Sequence, residues 1–381
     1  MPFRFLTSGE SHGPALTTIV EGLPSGCPIE IQKINAELRL RQQGYGRSNR
    51  MKIEKDEVRI LSGIQNQKTI GAPITFQITN KDHENFLKLP KRKLSAPRPG
   101  HADLAGTLKY QHSDIRNTLE RASARETAIR TAVGALCQNF LETFGISFLS
   151  TVTQIGKIKT PPLKDLWKYK NKIEASSMLV PHPTLEKKFI SEIKKHQKQR
   201  ETVGGCFQVR VKGVPLGLGS YSQWDLRLDG RLSQALMSIP AIKGVEIGTG
   251  FLAASLTGSE CHDEIFYNGK NKQKFGFFRK TNHHGGIEGG ISTGEEIILT
   301  CAMKPLPTVP RKKLKTVDIY SHQKAKSFSQ RTDSCAVPAA SIVAKNMAAI
   351  EITKAFLEKF GGDSLKEIQK NYKNYLSLKL K

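Results

Sequence analysis

The amino-acid sequence predicts an α+β fold. Its strand-like stretches occur in clusters, two long segments carry apolar residues at helical spacing, and strands and helices do not alternate regularly. Because regular alternation would indicate a parallel sheet, its absence favours antiparallel sheets packed on helices. No repeat and no linker-like boundary is visible, so we expect one domain over residues 1–381, of which residues 362–381 form a basic tail.

Short β-branched or alternating runs bounded by Gly, Pro or Asn predict the strands. In one of them Phe207, Val209 and Val211 alternate with polar residues, the period of a strand with one covered face. The predicted strands are TTIVEG (17–22), DEVRILSG (56–63), PITFQITN (73–80), CFQVRVKGV (206–214) and EEIILTCAM (295–303).

Two segments predict long helices. Residues 124–145 place apolar side chains three and four positions apart, and Gly145 supplies a C-terminal stop. Residues 339–362 follow the same spacing and end at Gly361. A third, charged helix is predicted over residues 185–200.

The composition is that of a globular protein from a reducing compartment. The chain is 38% hydrophobic, and its apolar runs are too short to span a bilayer. Arg4 and Glu10 interrupt the N-terminus too early for a signal peptide, so we expect a cytoplasmic protein without a membrane partner. The six cysteines are widely spaced, which indicates free thiols.

The net charge of +25 indicates an anionic ligand. Nucleic acid is one alternative, but aromatic residues make up 7% and the glycine-rich blocks do not resemble stacking platforms, so we expect no nucleic-acid partner. Lysine concentrates in runs that we interpret as solvated faces. Arginine concentrates near glycines instead, which favours a small anion.

The stretch GESHG (9–13) matches the pattern Gly-x-Ser-x-Gly, which presents a nucleophilic serine in many hydrolases. That role requires a strand before the turn and a helix after it. Only eight residues precede Gly9, Pro14 follows, and the next residues favour a strand, so Ser11 lacks this context. His12 is the better candidate, in a turn where the backbone can approach a ligand closely.

The stretch RPGHADLAGTLKY (98–110) presents a second histidine, His101, after a Pro-Gly turn. Asp103 lies two residues on, and a His-x-Asp pair can be half of a metal site. No third ligand lies at a fitting spacing, so we expect no metal here. An acid–base or anion-stabilising role is favoured, since an imidazole with a pKa of about 6.5 suits proton transfer at neutral pH.

The stretch DIRNTLERASARETAIR (114–130) leads into the first long helix. Ser123 is a candidate N-cap with Glu126 three residues on, the pattern of a capping box. Arg121 and Arg125 lie beside the same helix start, where exposed backbone N–H groups suit an anion.

Three further blocks are rich in glycine or polar residues. Residues 38–57 contain four arginines around two glycines, which indicates either a phosphate or carboxylate clamp or a mobile basic loop. Residues 281–296 hold five glycines, typical of backbone packed against a flat ligand or another backbone. Residues 331–340 place Arg331 and Asp333 before the last long helix.

In order along the chain, these blocks resemble the chorismate synthase family. The similarity covers about residues 1–360, and several ordered blocks are far more specific than one motif. The matching blocks are GESHG (9–13), GYGRSNRM (44–51), RPGHADLAGTLKY (98–110), RNTLERASARETAIRTAVGA (116–135), SIPAIKGVEIGTGF (238–251), TNHHGGIEGGISTGEE (281–296), KPLPT (304–308) and RTDSCAVPAA (331–340).

The resemblance implies a lyase of the shikimate pathway. Such an enzyme converts 5-enolpyruvylshikimate 3-phosphate to chorismate and phosphate by an anti-1,4-elimination, and it requires reduced FMN without net oxidation. The implied fold is a β-α-β sandwich with central helices between antiparallel sheets, assembled as a homotetramer. NADPH or a separate flavin reductase would supply the reduced flavin. A flavoprotein oxidoreductase is the alternative, and it would consume one reductant per turnover.

The resemblance also implies residue roles. His12 would donate a proton to the departing phosphate, His101 would stabilise or protonate the reduced flavin, and Asp333 would assist removal of the C-6 hydrogen. Arg41 and Arg47 would bind NADP or substrate anions. The implied FMN contacts are Arg121, Ala122, Ser123, Pro240, Ala241, Gly289, Lys304, Pro305, Leu306, Pro307, Thr308 and Arg331.

Four residues at three places in the sequence depart from the family pattern. Leu40 precedes Arg41 where the family usually has arginine, and Ser48-Asn49 follows Arg47 where it has glycine. We expect a weaker anion clamp as a result. His284 replaces a residue that is often alanine.

Overall fold

A computed structural model of the protein describes residues 2–47, 55–88, 93–161, 165–270, 274–310, 314–328 and 333–378. Its helices are α1 Ile31–Gln42, α2 His83–Leu87, α3 Asp103–Lys109, α4 Ile115–Ala122, α5 Thr127–Glu142, α6 Lys170–Ala175, α7 Pro183–Lys198, α8 Leu228–Met237, α9 Gly258–Cys261, α10 Val337–Phe360 and α11 Leu365–Leu376. The strands are β1 Arg4–Ser8, β2 Ala15–Glu21, β3 Arg59–Ser62, β4 Ile64–Gln65, β5 Lys68–Thr69, β6 Ile74–Thr79, β7 Ser147–Ile155, β8 Ile158–Lys159, β9 Gly205–Lys212, β10 Ile242–Ile247, β11 Ile265–Tyr267, β12 Phe277–Arg279, β13 Ile287–Glu288, β14 Ile291–Ser292, β15 Ile297–Met303, β16 Lys315–Val317 and β17 Lys324–Lys326.

Two antiparallel sheets form the outer layers. The four-stranded sheet has the order β1-β2-β6-β3, and the five-stranded sheet has the order β10-β15-β9-β7-β8. All five strands predicted from the sequence are present, as β2, β3, β6, β9 and β15. Phe207, Val209 and Val211 of β9 are each 0% exposed, so the period-two alternation correctly identified the buried face.

Two helices, α5 and α10, lie between the sheets and pack on each other. Helix α5 contacts β2 and β6 of the four-stranded sheet, and α10 contacts β7 and β9 of the five-stranded sheet. This arrangement confirms the α+β class and the β-α-β sandwich with central helices. The predicted stops are also confirmed, since α5 ends three residues before Gly145 and α10 ends at Phe360, directly before Gly361 with φ 47°. Helix α7 confirms the third predicted helix.

The central helices approach each other most closely at Gly134. A Cβ atom at this position would overlap the backbone carbonyl of Asn346 on α10. Asn346 also accepts a hydrogen bond from the side chain of Gln138 at 2.8 Å, so the contact between the helices is partly polar. A side chain at position 134 would therefore force the two layers apart.

Part of the basic C-terminal segment is helical. Ser364 and Glu367 form a capping box at the start of α11, whose Ile368 and Tyr372 are buried. Tyr372 packs edge-on against Phe360 at 5.1 Å between ring centroids. This helix therefore adds to the core. Among the described residues, no helix is long and apolar enough to cross a membrane.

Candidate active site

His12 lies in the turn between β1 and β2. Gly9, at φ 107°, begins this turn directly after β1. Ser11 is 3% exposed, and its side chain is hydrogen-bonded to Ser123 at 3.2 Å. Because the turn joins two strands of a hairpin and Ser11 points into the protein, the hydrolase alternative does not fit.

The His12 side chain is held by Glu120 of α4. Its Nδ1 lies 2.8 Å from one carboxylate oxygen of Glu120, and its backbone N–H donates to the other at 2.8 Å. The ring stacks on Phe86 at 4.3 Å between centroids and 16° between planes. Burial raises the pKa of Glu120, but the hydrogen bonds from His12 outweigh burial and lower it below its ordinary value. Glu120 therefore remains an anion that orients the imidazole.

The end of α4 also fixes the hairpin turn. Arg121 donates to the carbonyl oxygens of Gly9 and Thr7, each at 3.0 Å. Ala122 ends the helix, and Ser123 contacts the turn through the bond to Ser11. The predicted FMN contacts at 121–123 therefore lie directly against the turn that carries His12.

The capping box predicted at Ser123 and Glu126 is wrong. Ser123 accepts the backbone N–H of Arg125 at 3.3 Å and so begins a 3-10 turn over Ala124–Glu126, while α5 starts only at Thr127. The carboxylate of Glu126 instead accepts from Arg130 at 2.9 Å. A tight turn intervenes before the helix, so the Ser123 and Glu126 side chains do not cap one helix end.

A buried group of charges lies behind this turn. Asp56 is 1% exposed, and its two carboxylate oxygens accept hydrogen bonds from Arg125, each at 2.7 Å. Arg125 also donates to Asn80, whose amide holds the carbonyl oxygen of Gly13 at 2.6 Å. These contacts make Arg125 a support for the turn of His12, since its predicted position at an open helix end is instead buried.

Arg41 belongs to the last turn of α1, and its guanidinium is buried at 5% exposure. It donates to Thr127 at 3.0 and 3.1 Å, while its Nη1 lies 3.5 Å from Asp56 and makes no hydrogen bond to any described residue. Burial lowers the pKa of Arg41 to about 10, although Asp56 opposes the shift. The positive charges of Arg125 and Arg47 lower the pKa of Arg41 further, so Arg41 lies close to other cations.

Asp333 and Arg47 form an ion pair. The Nη1 of Arg47 lies 2.9 Å from Asp333 Oδ2, and the two side chains are 12% and 18% exposed. The backbone N–H of Ser334 donates to the carbonyl oxygen of Gly46 at 2.7 Å, which joins the two segments. Asp333 and Arg47, predicted separately, are therefore direct partners.

His101 has its own carboxylate partner. Its Nδ1 lies 2.5 Å from Asp103, which is 0% exposed. Arg98 binds the same carboxylate through its Nε at 2.8 Å and donates to Thr308 at 3.3 Å. Burial raises the pKa of Asp103, but the hydrogen bonds from His101 and Arg98 hold it below its ordinary value. The guanidinium group of Arg98 thus compensates the buried charge of Asp103.

The predicted FMN segment 304–308 lies against the loop of His101. Lys304 Nζ donates to the carbonyl oxygen of Gly100 at 2.5 Å. The backbone N–H of Lys304 donates to the carbonyl oxygen of Ala241 at 3.0 Å. Ala241 follows Pro240 and has φ 70°, a strained value for a residue with a Cβ. Gly289 is at the β13–β14 turn, where a Cβ would meet nothing within 4 Å.

A chain of contacts connects these groups. Thr202 donates to the carbonyl oxygen of Leu306 at 2.8 Å. The backbone N–H of the adjacent Val203 donates to the carbonyl oxygen of Ser334 at 2.9 Å. The segment of Pro305 to Pro307 therefore lies next to the segment of Asp333. Arg331 lies outside the described residues.

Sequence reasoning missed several residues that fix these groups. Glu120 and Arg98 stand inside the quoted blocks, yet only the fold shows that they bind the histidines. Asp56 and Asn80 had no sequence signal, because their partners are far away along the chain. Asp56 contacts Arg125 across 69 positions.

Together the fold and these contacts define a class of protein: an α+β enzyme with histidine–carboxylate pairs and buried arginines, suited to acid–base chemistry on an anion. A family model described as chorismate synthase matches residues 3–357. The chain therefore belongs to the chorismate synthase family and is a lyase of the shikimate pathway.

Individual relatives are similar to this chain over nearly its whole length. It is 49% identical to the chorismate synthase of Alkaliphilus oremlandii, with 98% of each chain covered. It is 50% identical to that of Alkaliphilus metalliredigens, with 99% of this chain and 100% of the relative covered. A crystal structure of chorismate synthase is similar to this fold with a TM-score of 0.82 and 43% identity, covering 99% of this chain and 98% of that one.

Proposed function

We propose that this protein converts 5-enolpyruvylshikimate 3-phosphate to chorismate and phosphate by an anti-1,4-elimination that requires reduced FMN. The reaction breaks the C–O bond to phosphate and the C–H bond at C-6, and it adds one double bond to the ring without net oxidation. The observation that carries this proposal is the His12–Glu120 pair, because loss of phosphate requires a proton donor on a fixed group.

His12 would protonate the departing phosphate through Nε2, since Nδ1 faces Glu120. A carboxylate at Nδ1 orients the ring and stabilises the positive charge that the imidazole carries before it donates its proton. The second bond, from the His12 backbone to Glu120, fixes the main chain at the same point. Phosphate then leaves without developing its full negative charge.

Asp333 would assist removal of the C-6 proton. Arg47 holds its carboxylate at 2.9 Å, which fixes the orientation of the carboxylate. Arg47 would also contact an anionic group of the substrate. The same pair would thus position the substrate and the carboxylate that assists removal of its C-6 hydrogen.

The buried cations fit a polyanionic substrate. Arg41 Nη1 is buried without a hydrogen bond to a described residue, and such a group is costly unless an acceptor reaches it. An oxygen of a carboxylate or phosphate would supply that acceptor. This supports the proposed role of Arg41 and Arg47 in binding substrate anions or NADP.

The predicted FMN residues fit a flat anionic cofactor. A Cβ at Gly289 would meet nothing within 4 Å, and Lys304 and Arg121 are cations of the proposed set. When bound, reduced FMN would supply a transient electron and a nitrogen that accepts a proton. Ser123, Ala241 and the segment 304–308 would hold it, and His101 would donate to its anionic edge. Arg331 would complete the set.

An anaerobic assay with photoreduced FMN tests the proposal. The wild type should form many chorismate molecules per reduced FMN, whereas a flavoprotein oxidoreductase would consume one reductant for each product. His12→Ala should lower turnover by about 100-fold or more with FMN binding retained, because general acid catalysis contributes roughly 10²–10⁴-fold. Ser11→Ala should keep most of the activity, and equal loss in both variants would contradict the role of His12.

The source of reduced flavin needs a second assay. NADPH alone, without photoreduction, should support turnover only if the protein reduces its own FMN, and otherwise a separate flavin reductase is required. We also propose that the chain acts as a single domain within a homotetramer, which sedimentation at several concentrations would test.

A further inference from the structure

A group of metal-ligating side chains lies between helix α9 and the loop before β13. It consists of His262, Asp263, His284 and Glu288 and has no part in the roles proposed above. Asp263, His284 and Glu288 each offer a ligand atom, and these atoms lie within 4.8 Å of one another. One imidazole and two carboxylates are a set that Zn²⁺ accepts.

The Asp263 carboxylate is fixed and almost fully buried. Its side chain is 1% exposed and accepts the backbone N–H of His283 at 2.9 Å and of His284 at 3.0 Å. The side chain of Thr281 donates a further hydrogen bond to the same carboxylate. These contacts fix the carboxylate and leave one of its two oxygens with a further lone pair for a cation.

His262 fixes the ring of His284. The two rings stack at 5.3 Å between centroids and 3° between planes, and His262 Nδ1 lies 3.1 Å from His284 Nε2. Histidines that bind metals usually have their second ring nitrogen held in this way, which sets the tautomer and the ring orientation. With Nε2 directed at His262, Nδ1 of His284 is the nitrogen for a metal ion.

Glu288 is held in place by Arg279, which donates to its two oxygens at 2.9 and 2.7 Å. The cation opposes metal binding, but two carboxylates against one guanidinium leave the group with a net negative charge. A metal ion would use the remaining lone pairs of Glu288, so the ion pair need not break.

We propose that Asp263, His284 and Glu288 bind a divalent transition-metal ion of the Zn²⁺ class, with His262 orienting His284 from outside the coordination shell. An imidazole ligand favours Zn²⁺, Co²⁺ or Ni²⁺ over Mg²⁺ or Ca²⁺. The ion would join the end of α9 to the loop of residues 281–288 and so stabilise this part of the surface. Its role would be structural and separate from the elimination.

Titration of the metal-free full-length protein with Zn²⁺ tests this site. The wild type should bind one ion per chain, and His284→Ala should weaken binding by at least 100-fold. His262→Ala should weaken it by roughly 10-fold, the usual effect of losing a partner outside the coordination shell. His196→Ala is the matched control, because His196 also pairs with a carboxylate, Glu192 at 3.2 Å, but on another helix.

A second variant and a second readout separate ligand loss from misfolding. His284→Gln should lose Zn²⁺ as His284→Ala does, while both keep the metal-free melting temperature and circular dichroism of the wild type. Co²⁺ should give d–d bands without a thiolate charge-transfer band, since Cys261 is not a ligand. Equal Zn²⁺ affinity in wild type and His284 variants, a thiolate band, or a wild-type Kd weaker than roughly 100 µM would overturn the proposal.

Discussion

The pairs His12–Glu120 and His101–Asp103 share one arrangement, an imidazole Nδ1 within hydrogen-bonding distance of a carboxylate, but their surroundings differ. The histidine side chains are similarly exposed, at 16% and 17%. Glu120 also accepts the backbone N–H of His12, whereas Asp103 also accepts the backbone N–H and guanidinium of Arg98. The carboxylate of Glu120 thus binds the backbone and the ring of His12, whereas the carboxylate of Asp103 joins His101 to the buried guanidinium of Arg98.

A histidine–carboxylate pair can therefore contribute to catalysis or to stability, depending on which other group binds the carboxylate. Among the described residues no lysine or arginine donates a hydrogen bond to Glu120, although Arg116 lies close enough to lower its pKa, so this carboxylate can stabilise charge on His12. Asp103 divides its charge between His101 and Arg98, and Arg98 in turn reaches Thr308. We therefore expect substitutions at Glu120 to affect rate and those at Asp103 to affect folding.

The largest effect should come from Asp103→Asn. Removing this charge leaves Arg98 buried and uncompensated, so the free energy of unfolding should fall by about 3–5 kcal/mol. Denaturant unfolding measures this loss. The matched control is Asp229→Asn, which breaks the more exposed Arg227–Asp229 pair and should cost less than about 1 kcal/mol. Equal losses in the two variants would contradict the structural role of Asp103.

Glu120→Gln should lower kcat by about 100-fold, since an amide cannot stabilise charge on His12 as a carboxylate does. The free energy of unfolding should change by only about 1 kcal/mol, because the amide retains hydrogen bonding. Steady-state kinetics with reduced FMN and thermal unfolding measure the two effects. Glu84→Gln, an exposed acid on the neighbouring helix α2, should leave both unchanged. A larger effect on folding than on rate would remove the proposed contrast between the pairs.

Phe86→Leu should have a smaller effect on the same histidine. It removes the aromatic ring that stacks on His12, and such contacts contribute about 0.5–1.5 kcal/mol, so kcat should fall roughly 3-fold to 10-fold. Phe86→Tyr keeps the ring and should retain near wild-type kcat. An effect on FMN binding without one on kcat would place Phe86 in a different role.

The smallest effect should be the dependence of stability on pH near neutrality. Both Asp103 and Glu120 have lowered pKa values in the folded protein, relative to ordinary values of 3.8 and 4.5. Their contribution to stability is therefore fully present above those values and is lost as the pH falls through the folded pKa values. The difference in the free energy of unfolding between wild type and Asp103→Asn should be constant from pH 6 to 8 and should decrease below about pH 4. Unfolding curves at each pH measure it.

The sequence predicted what depends on local pattern. Helical spacing and Gly145 located α5, and the alternation of Phe207 and Val209 located a buried strand. The placement of β9 between β7 and β15 was not predictable in this way, because that order depends on pairings far apart along the chain. The same holds for the site, where His12 and Glu120 are 108 positions apart.

Local preference was misleading where a tighter turn intervened. Ser123 and Glu126 have the spacing of a capping box, but Glu126 faces Arg130 once the 3-10 turn has formed. The burial of Arg41 and Arg125 was also missed, since a composition rich in arginine does not reveal that Asp56 will be shared between them.

The contact of Gly134 with Asn346 has a consequence for how the site is assembled. The hairpin of His12 belongs to one layer of the sandwich, whereas Asp333 lies four residues before the start of the helix that packs on the other layer. The small side chain at position 134, a single hydrogen atom, thus sets the distance between these two layers. Even a methyl group there would widen the distance between two residues that we propose to act on one substrate.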